Sequence, residues 1–149
     1  MRAFTNIPAA RINGAESSIN YQFADRHFSF NNTMKLLYGR DNNNVPLPLI
    51  APFKSVSSLR FTHHPIFIQA EHEWSMAQNR VNHEFGERSS PGFSIFNLRT
   101  NFTFDLKSST LELSAGAENL FNKAYYEHLD WGKMFRPGRN IYTMLSMKF

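Results

Sequence analysis

The 149-residue chain contains no cysteine, which excludes disulfide frameworks and thiolate metal sites without assigning a compartment. It also lacks any apolar run approaching the roughly 20 residues that a membrane helix needs. That absence does not exclude membrane strands, because half of each such strand faces a polar interior and average hydropathy hides it. Basic residues are present but not clustered. The 16 Lys and Arg stand against 12 Asp and Glu, giving a net charge of +4 spread along the chain, so there is no nucleic-acid footprint. No sustained i, i+3, i+4, i+7 apolar stripe occurs, so amphipathic helices are not expected. Met1 to Asn6 lacks the apolar stretch of a secretory signal.

What the chain has is aromatic side chains and alternation. Aromatics make up 15% of it, with 15 Phe, which favours pleated structure. Period-2 patterns predict strands over Ala10–Phe23, His27–Gly39, Ser55–His63, Pro65–Met76, Phe93–Phe104, Thr110–Glu118 and a last stretch ending on Phe149. Along that last stretch Ile141, Thr143, Leu145, Met147 and Phe149 share one face, and Tyr142, Met144, Ser146 and Lys148 share the other. A strand closing on an aromatic residue suits a bilayer edge or a sheet seam.

Connections near residues 25, 64 and 107 are short, and those near 46, 85 and 128 are long. This sorting is expected of an outer-membrane barrel, with tight periplasmic turns and long extracellular loops. The polar faces agree. Gln69, Glu71 and Glu73 on one strand, and Asn97, Arg99 and Asn101 on another, are too polar for a dry core. They suit a wet or plugged lumen, with the Phe-rich faces toward lipid. The expected fold is therefore all-β, an antiparallel transmembrane β-barrel. A soluble antiparallel β-barrel or sandwich with its polar face outward remains the alternative.

Several segments carry a family resemblance. Ala115-Gly116-Ala117-Glu118-Asn119-Leu120-Phe121-Asn122-Lys123 is followed by Tyr125-Tyr126-Glu127-His128-Leu129, then Pro137-Gly138-Arg139-Asn140 and the terminal Phe149. Upstream stand Asn6 with Ala10-Arg11-Ile12-Asn13-Gly14-Ala15-Glu16, and Ser90-Pro91-Gly92-Phe93 with Phe96-Asn97-Leu98-Arg99. In this order they resemble the closing part of TonB-dependent outer-membrane receptors. The resemblance implies barrels of about 22 strands around an N-terminal plug. Counting a short strand at Ala3–Ile7, about eight strands are expected here, by resemblance the last eight. Residues 1–149 are then the C-terminal portion of the receptor barrel, expected to be a fragment without plug domain, signal peptide or TonB-contacting segment.

The resemblance implies a non-enzymatic receptor in the outer membrane of a Gram-negative bacterium, taking up a siderophore, metal chelate or similar nutrient with energy from the TonB complex. Its partners would be outer-membrane lipid and lipopolysaccharide, the barrel-assembly machinery, and the TonB complex through the missing N-terminal part. No cofactor is expected. Two other readings stay open: a complete small eight-stranded outer-membrane barrel with a structural or adhesion role, and a soluble β-barrel binding a small ligand.

No catalytic constellation stands out. Glu71 and Glu73 share a strand face, but such a pair in a polar lumen is solvated more often than it is an acid/base couple. The six histidines show no ligand spacing, so no metal site is expected. Candidate ligand-binding residues lie in two long loops: His83, Glu84, Glu87 and Arg88 in one, and Glu127, His128, Asp130 and Trp131 in the other. Trp74, Tyr38, Tyr125, Tyr126 and Trp131 are expected near the outer strand ends, as an aromatic girdle. By resemblance Arg139 and Asn140 begin the final strand, and Phe149 serves recognition by the barrel-assembly machinery.

Overall fold

Alternating side chains build a two-faced sheet wherever neighbouring strands keep register, and this chain keeps it across its whole width. The computed structural model describes residues 9–149. Seven strands follow in chain order: β1 (Ala10–Phe23), β2 (Phe28–Asp41), β3 (Lys54–His63), β4 (Ile66–Ser75), β5 (Phe93–Asp105), β6 (Thr110–Glu118) and β7 (Asn140–Lys148). They form one antiparallel sheet in the order β1 to β7, so among the described residues each strand pairs with its sequence neighbours. Among the described residues there is no α-helix, and one 3₁₀ turn occurs, at Trp131–Lys133. The strand expected at Ala3–Ile7 lies outside the described residues.

The elements match the alternation to within two residues at each end. The largest difference is at β2, which runs on to Asp41 because Arg40 and Asp41 still pair with Arg11 and Ala10. Short connections at 24–27, 64–65 and 106–109 lie at one end of the sheet. Those at 42–53, 76–92 and 119–139 lie at the other.

Register places the apolar parity of every strand on the same face. Phe23 opposes Phe28, which opposes Phe61, which opposes Ile68. Ala70 opposes Leu98, and Phe102 opposes Leu113, which opposes Leu145. Ring centroids of Phe23 and Phe28 are 5.3 Å apart, and those of Phe28 and Phe61 4.9 Å. This second aromatic belt, at the short-turn end, was not anticipated from the sequence, where only the opposite belt stood out.

The other face is a polar lattice. Arg60 donates through Nε and Nη2 to Gln69 Oε1 at 3.1 and 2.9 Å, Asn97 donates to Glu71 at 2.9 Å, and Lys148 meets Glu112 at 2.9 Å. The burial is inverted relative to a water-soluble domain, whose large apolar side chains lie inside. Phe30, Leu59, Ile68, Phe96, Leu98, Phe102 and Leu113 are exposed, whereas Gln69 and Ser75 on the polar face are buried. Among the described residues the buried hydrophobic side chains are Val81, Phe93 and Ile95, near the long-loop end. Soluble monomers rarely leave a contiguous apolar patch above a few hundred Å², and here exposed apolar side chains run across all seven strands of one face.

Asn32 interrupts the apolar face, as its sequence position implied. It is buried there by donating to Ser57 Oγ at 2.7 Å and Ser55 Oγ at 3.0 Å on the neighbouring strand. His72 Nε2 meets Ser94 Oγ at 2.8 Å while its ring stacks on Phe96. Asn32 Nδ2 and the His72 ring therefore bond to hydroxyls on this face, which lowers the cost of withdrawing them from water, while Asn32 Oδ1 is left without a partner.

Gly92, entering β5, is required by a close backbone approach. A Cβ there would lie 2.7 Å from the Ser75 carbonyl oxygen and 2.9 Å from the Ala77 nitrogen, atoms that cannot swing aside. We expect Gly92→Ala to destabilise the sheet by about 1–3 kcal/mol, as overpacking does. Urea unfolding of the two proteins in the same detergent checks this.

Candidate functional site

The long-loop end is organised by two asparagines in the last connection. Asn119 and Asn122 hold φ of 48° and 54°, a left-handed backbone that asparagine tolerates better than most residues. Asn119 is buried and works as a hub. Its N–H donates to Asn97 Oδ1 at 2.9 Å, its Nδ2 donates to the Lys123 carbonyl at 2.8 Å, and its Oδ1 accepts the Lys123 N–H at 2.8 Å. Asn122 Oδ1 accepts the Arg139 N–H at 2.9 Å and would lie 2.5 Å from a Cβ on Gly138. The asparagine-rich run after β6 and the Pro-Gly-Arg before β7 are thus two halves of one joint. The sequence made both segments visible, but not their contact.

A charged cluster lies above this joint. Arg136 reaches Asp130 through Nε and Nη2 at 2.8 and 2.9 Å, and Glu127 through Nη1 at 2.8 Å. Glu127 also meets Lys54 at 3.1 Å, and Lys54 meets Glu73 at 2.8 Å, so the loop is tied to β3 and β4. The Arg136 hydrogen bonds hold the Asp130 carboxyl down at about 2, against an ordinary 3.8, despite some burial. Arg136 was not among the sequence candidates. Its fork geometry, which suits carboxylates, is invisible until the loop closes.

A second contact joins the loops to one another. Glu87 and His128 meet at 2.9 Å with side chains only 7% and 1% exposed. Glu87 also accepts the N–H groups of Leu49 and Asn82, each at 2.9 Å, while His128 Nδ1 meets Ser90 Oγ at 2.9 Å. Burial alone would raise the Glu87 carboxyl; the two N–H donors and His128 outweigh it and hold it below the usual range. Gln78, 1% exposed, ties the same region together by donating to the Ile50 carbonyl at 2.8 Å. All three long connections therefore form one network.

The sequence candidates divide accordingly. Glu87 and His128 are brought together and buried as a brace between loops. Glu127 and Asp130 share Arg136. His83, Glu84 and Arg88 are exposed, and Trp131 is 88% exposed, so these four form the part open to a ligand. Phe85, Met134 and Phe135 are exposed in the same loops and had not been singled out. Asn140 opens β7 opposite Glu118, the Arg139 N–H caps Asn122, and Phe149 is exposed just past β7. Trp74 packs edge-on against Phe53 at 5.4 Å, Tyr125 against Phe93 at 4.6 Å, and Tyr126 against Phe135 at 5.7 Å. Among the described residues no three His, Asp or Glu side chains converge as a metal site.

No family model matches the chain. No curated protein matches it. The fold does have a counterpart among solved structures. The chain is similar to the copper transporter OprC. The TM-score is 0.78 at 24% sequence identity, over 91% of this chain and 23% of that one. The likeness is one of fold, and the chain spans about a quarter of that protein's length.

Two outcomes follow from the loop network. Glu87→Ala leaves two backbone N–H groups and a buried imidazole without their acceptor, at a cost of about 1–3 kcal/mol for a buried unpaired group. Amide exchange at 49, 82 and 128 is expected to quicken while β4 and β5 amides stay protected. The Asp130 carboxyl is depressed on folding, so its contribution is complete above an ordinary carboxyl pKa of 3.8 and lost as pH falls through about 2. Trp131 fluorescence, next to this pair, is expected to change only in that acid range.

Proposed function

We propose that this chain is a sector of an outer-membrane transport barrel that takes up a scarce nutrient, a metal chelate or siderophore, with energy delivered from the inner membrane by TonB. The observation that carries this reading is the inverted sheet: an apolar face open across seven strands, backed by a hydrogen-bonded polar face. Lipid satisfies the first face and a wet or plugged lumen the second. Sorting of the loops supports the same orientation, with the braced long loops outward. Likeness in fold to a copper transporter is in keeping with it.

In this reading His83, Glu84, Arg88 and Trp131 meet the ligand first, because they are exposed on loops held by the Glu87–His128 brace. The polar lattice of β3 to β5 then lines the path. A soluble barrel for an apolar ligand would need an apolar interior, and the better covered face here is the polar one.

One cellular experiment tests the reading. Because the chain has no cysteine, Arg88→Cys and Asp25→Cys give single labelling sites in it. A membrane-impermeant maleimide is expected to label Arg88→Cys on intact cells, and Asp25→Cys only once the outer membrane is permeabilised. In the cells carrying Asp25→Cys, a change remote from the proposed ligand-binding loops, uptake of a labelled metal chelate is expected to stop when the inner-membrane proton gradient is dissipated. Labelling of both sites only after complete lysis would overturn the membrane assignment. Correct labelling without gradient-dependent uptake would overturn the transport assignment alone.

A further inference from the structure

At the long-loop end of β1 and β2 the apolar face finishes in arginine. Arg11 and Arg40 are register partners and share the apolar parity of their strands. Like charges directly opposite on one sheet face repel and are destabilising. Arg80, from the β4–β5 loop, joins them by lying over the Tyr38 ring, with its guanidinium carbon 3.7 Å from the centroid. All three arginines are exposed, and among the described residues none pairs with a carboxylate. The adjacent Asp41 has the opposite parity, and its Oδ1 accepts the N–H groups of Asn43 and Val45, both at 2.8 Å. Among the described residues the three arginines therefore have no paired carboxylate to offset their mutual repulsion.

We propose that Arg11, Arg40 and Arg80 bind the phosphate of a lipid headgroup in the outer leaflet. This rests on the membrane reading above. Two further features point to a lipid rather than a free anion. Below the arginines the same face of β2 runs through Tyr38, Leu36, Met34, Phe30 and Phe28, interrupted only by Asn32. That is a cation, then an amphipathic ring, then apolar side chains, the order in which a lipid presents phosphate, glycerol or sugar, and acyl chain. Free phosphate would have no use for the lower part. The second feature is a groove of about 750 Å³ beside the cluster, lined by Arg11, Asn13, Tyr38, Arg40 and Asn44, and by Asp41, whose Oδ1 is already taken by the Asn43 and Val45 N–H groups. It is large enough for a phosphorylated sugar, and its asparagines supply neutral donors beside the charged ones. Guanidinium forks match phosphate oxygens in pairs, which suits arginine over lysine here.

The test uses the whole protein extracted in mild detergent, with diphosphorylated lipid A, its dephosphorylated form and inorganic phosphate as probes. Binding is read by native mass spectrometry and by titration in micelles. The phosphorylated lipid is expected to bind and the dephosphorylated one to be lost, with millimolar inorganic phosphate failing to displace it. An arginine near an anionic surface contributes roughly fivefold in affinity, so the combined R11Q, R40Q and R80Q variant is expected to bind on the order of 100-fold more weakly. Lys35→Gln, on the opposite face of β2, is expected to bind as the parent does. If the triple variant fails to fold by circular dichroism, Arg11→Gln and Arg40→Gln are read singly for the fivefold loss.

Equal retention of the dephosphorylated lipid, displacement by inorganic phosphate, or undiminished binding by the folded variants would each overturn the proposal. A protein that stays folded and monodisperse without detergent and binds neither lipid would overturn the membrane reading itself. One that needs detergent but is indifferent to the phosphate would overturn this site alone.

Discussion

Everything in this molecule depends on strands that keep one register while their side chains alternate. A shift of one residue at any pairing would carry Phe28, Phe61 or Leu98 onto the face that bears Arg60, Glu71 and Asn97. The apolar side chains gain from leaving water together, and the polar ones gain from a shared lattice of charge-assisted bonds. Neither gain is available to a slipped sheet. Register is fixed from both sides at once, and the two faces can then be matched to two different surroundings.

The loops are held by a different kind of interaction. Long connections lose more conformational entropy than short turns when they order, and these carry few buried apolar side chains to offset it. Polar contacts do the holding: the buried Glu87–His128 brace, Gln78 bridge and Asn119 hub, and the exposed Arg136 fork. Such contacts are directional, so they set loop geometry as well as stability. The side chains left over, Trp131 and Arg88 among them, are displayed from a fixed frame.

Strands were readable from the sequence because period-2 alternation is a local signal. β1 and β6 begin and end where the alternation does. The extension of β2 through Asp41 was not readable, since it depends on pairing with Ala10, a residue far away in the chain. The candidate site shows the same division. That Glu87 and His128 belong to polar loops could be seen directly, yet their mutual burial needed two loops to meet 41 positions apart. Asn119, Asn122 and Gly138 carried a hint, because asparagine and glycine cluster where backbone must turn left-handed or pass close to a neighbour. Arg136 and Gln78 carried none, since nothing local separates a bridging side chain from a solvated one.

The neighbour-only strand order also bears on how the sheet is made. Among the described residues every pairing closes across a short turn or a single loop, so these seven strands join one another without a partner from far along the chain. Closure entropy stays low at each step, and low contact order goes with fast assembly. The β1–β2 hairpin, with fourteen residues in each strand and a turn at 24–27, has the longest register to zip. A chain wired this way can grow strand by strand from an existing edge, each addition offering the next one a template.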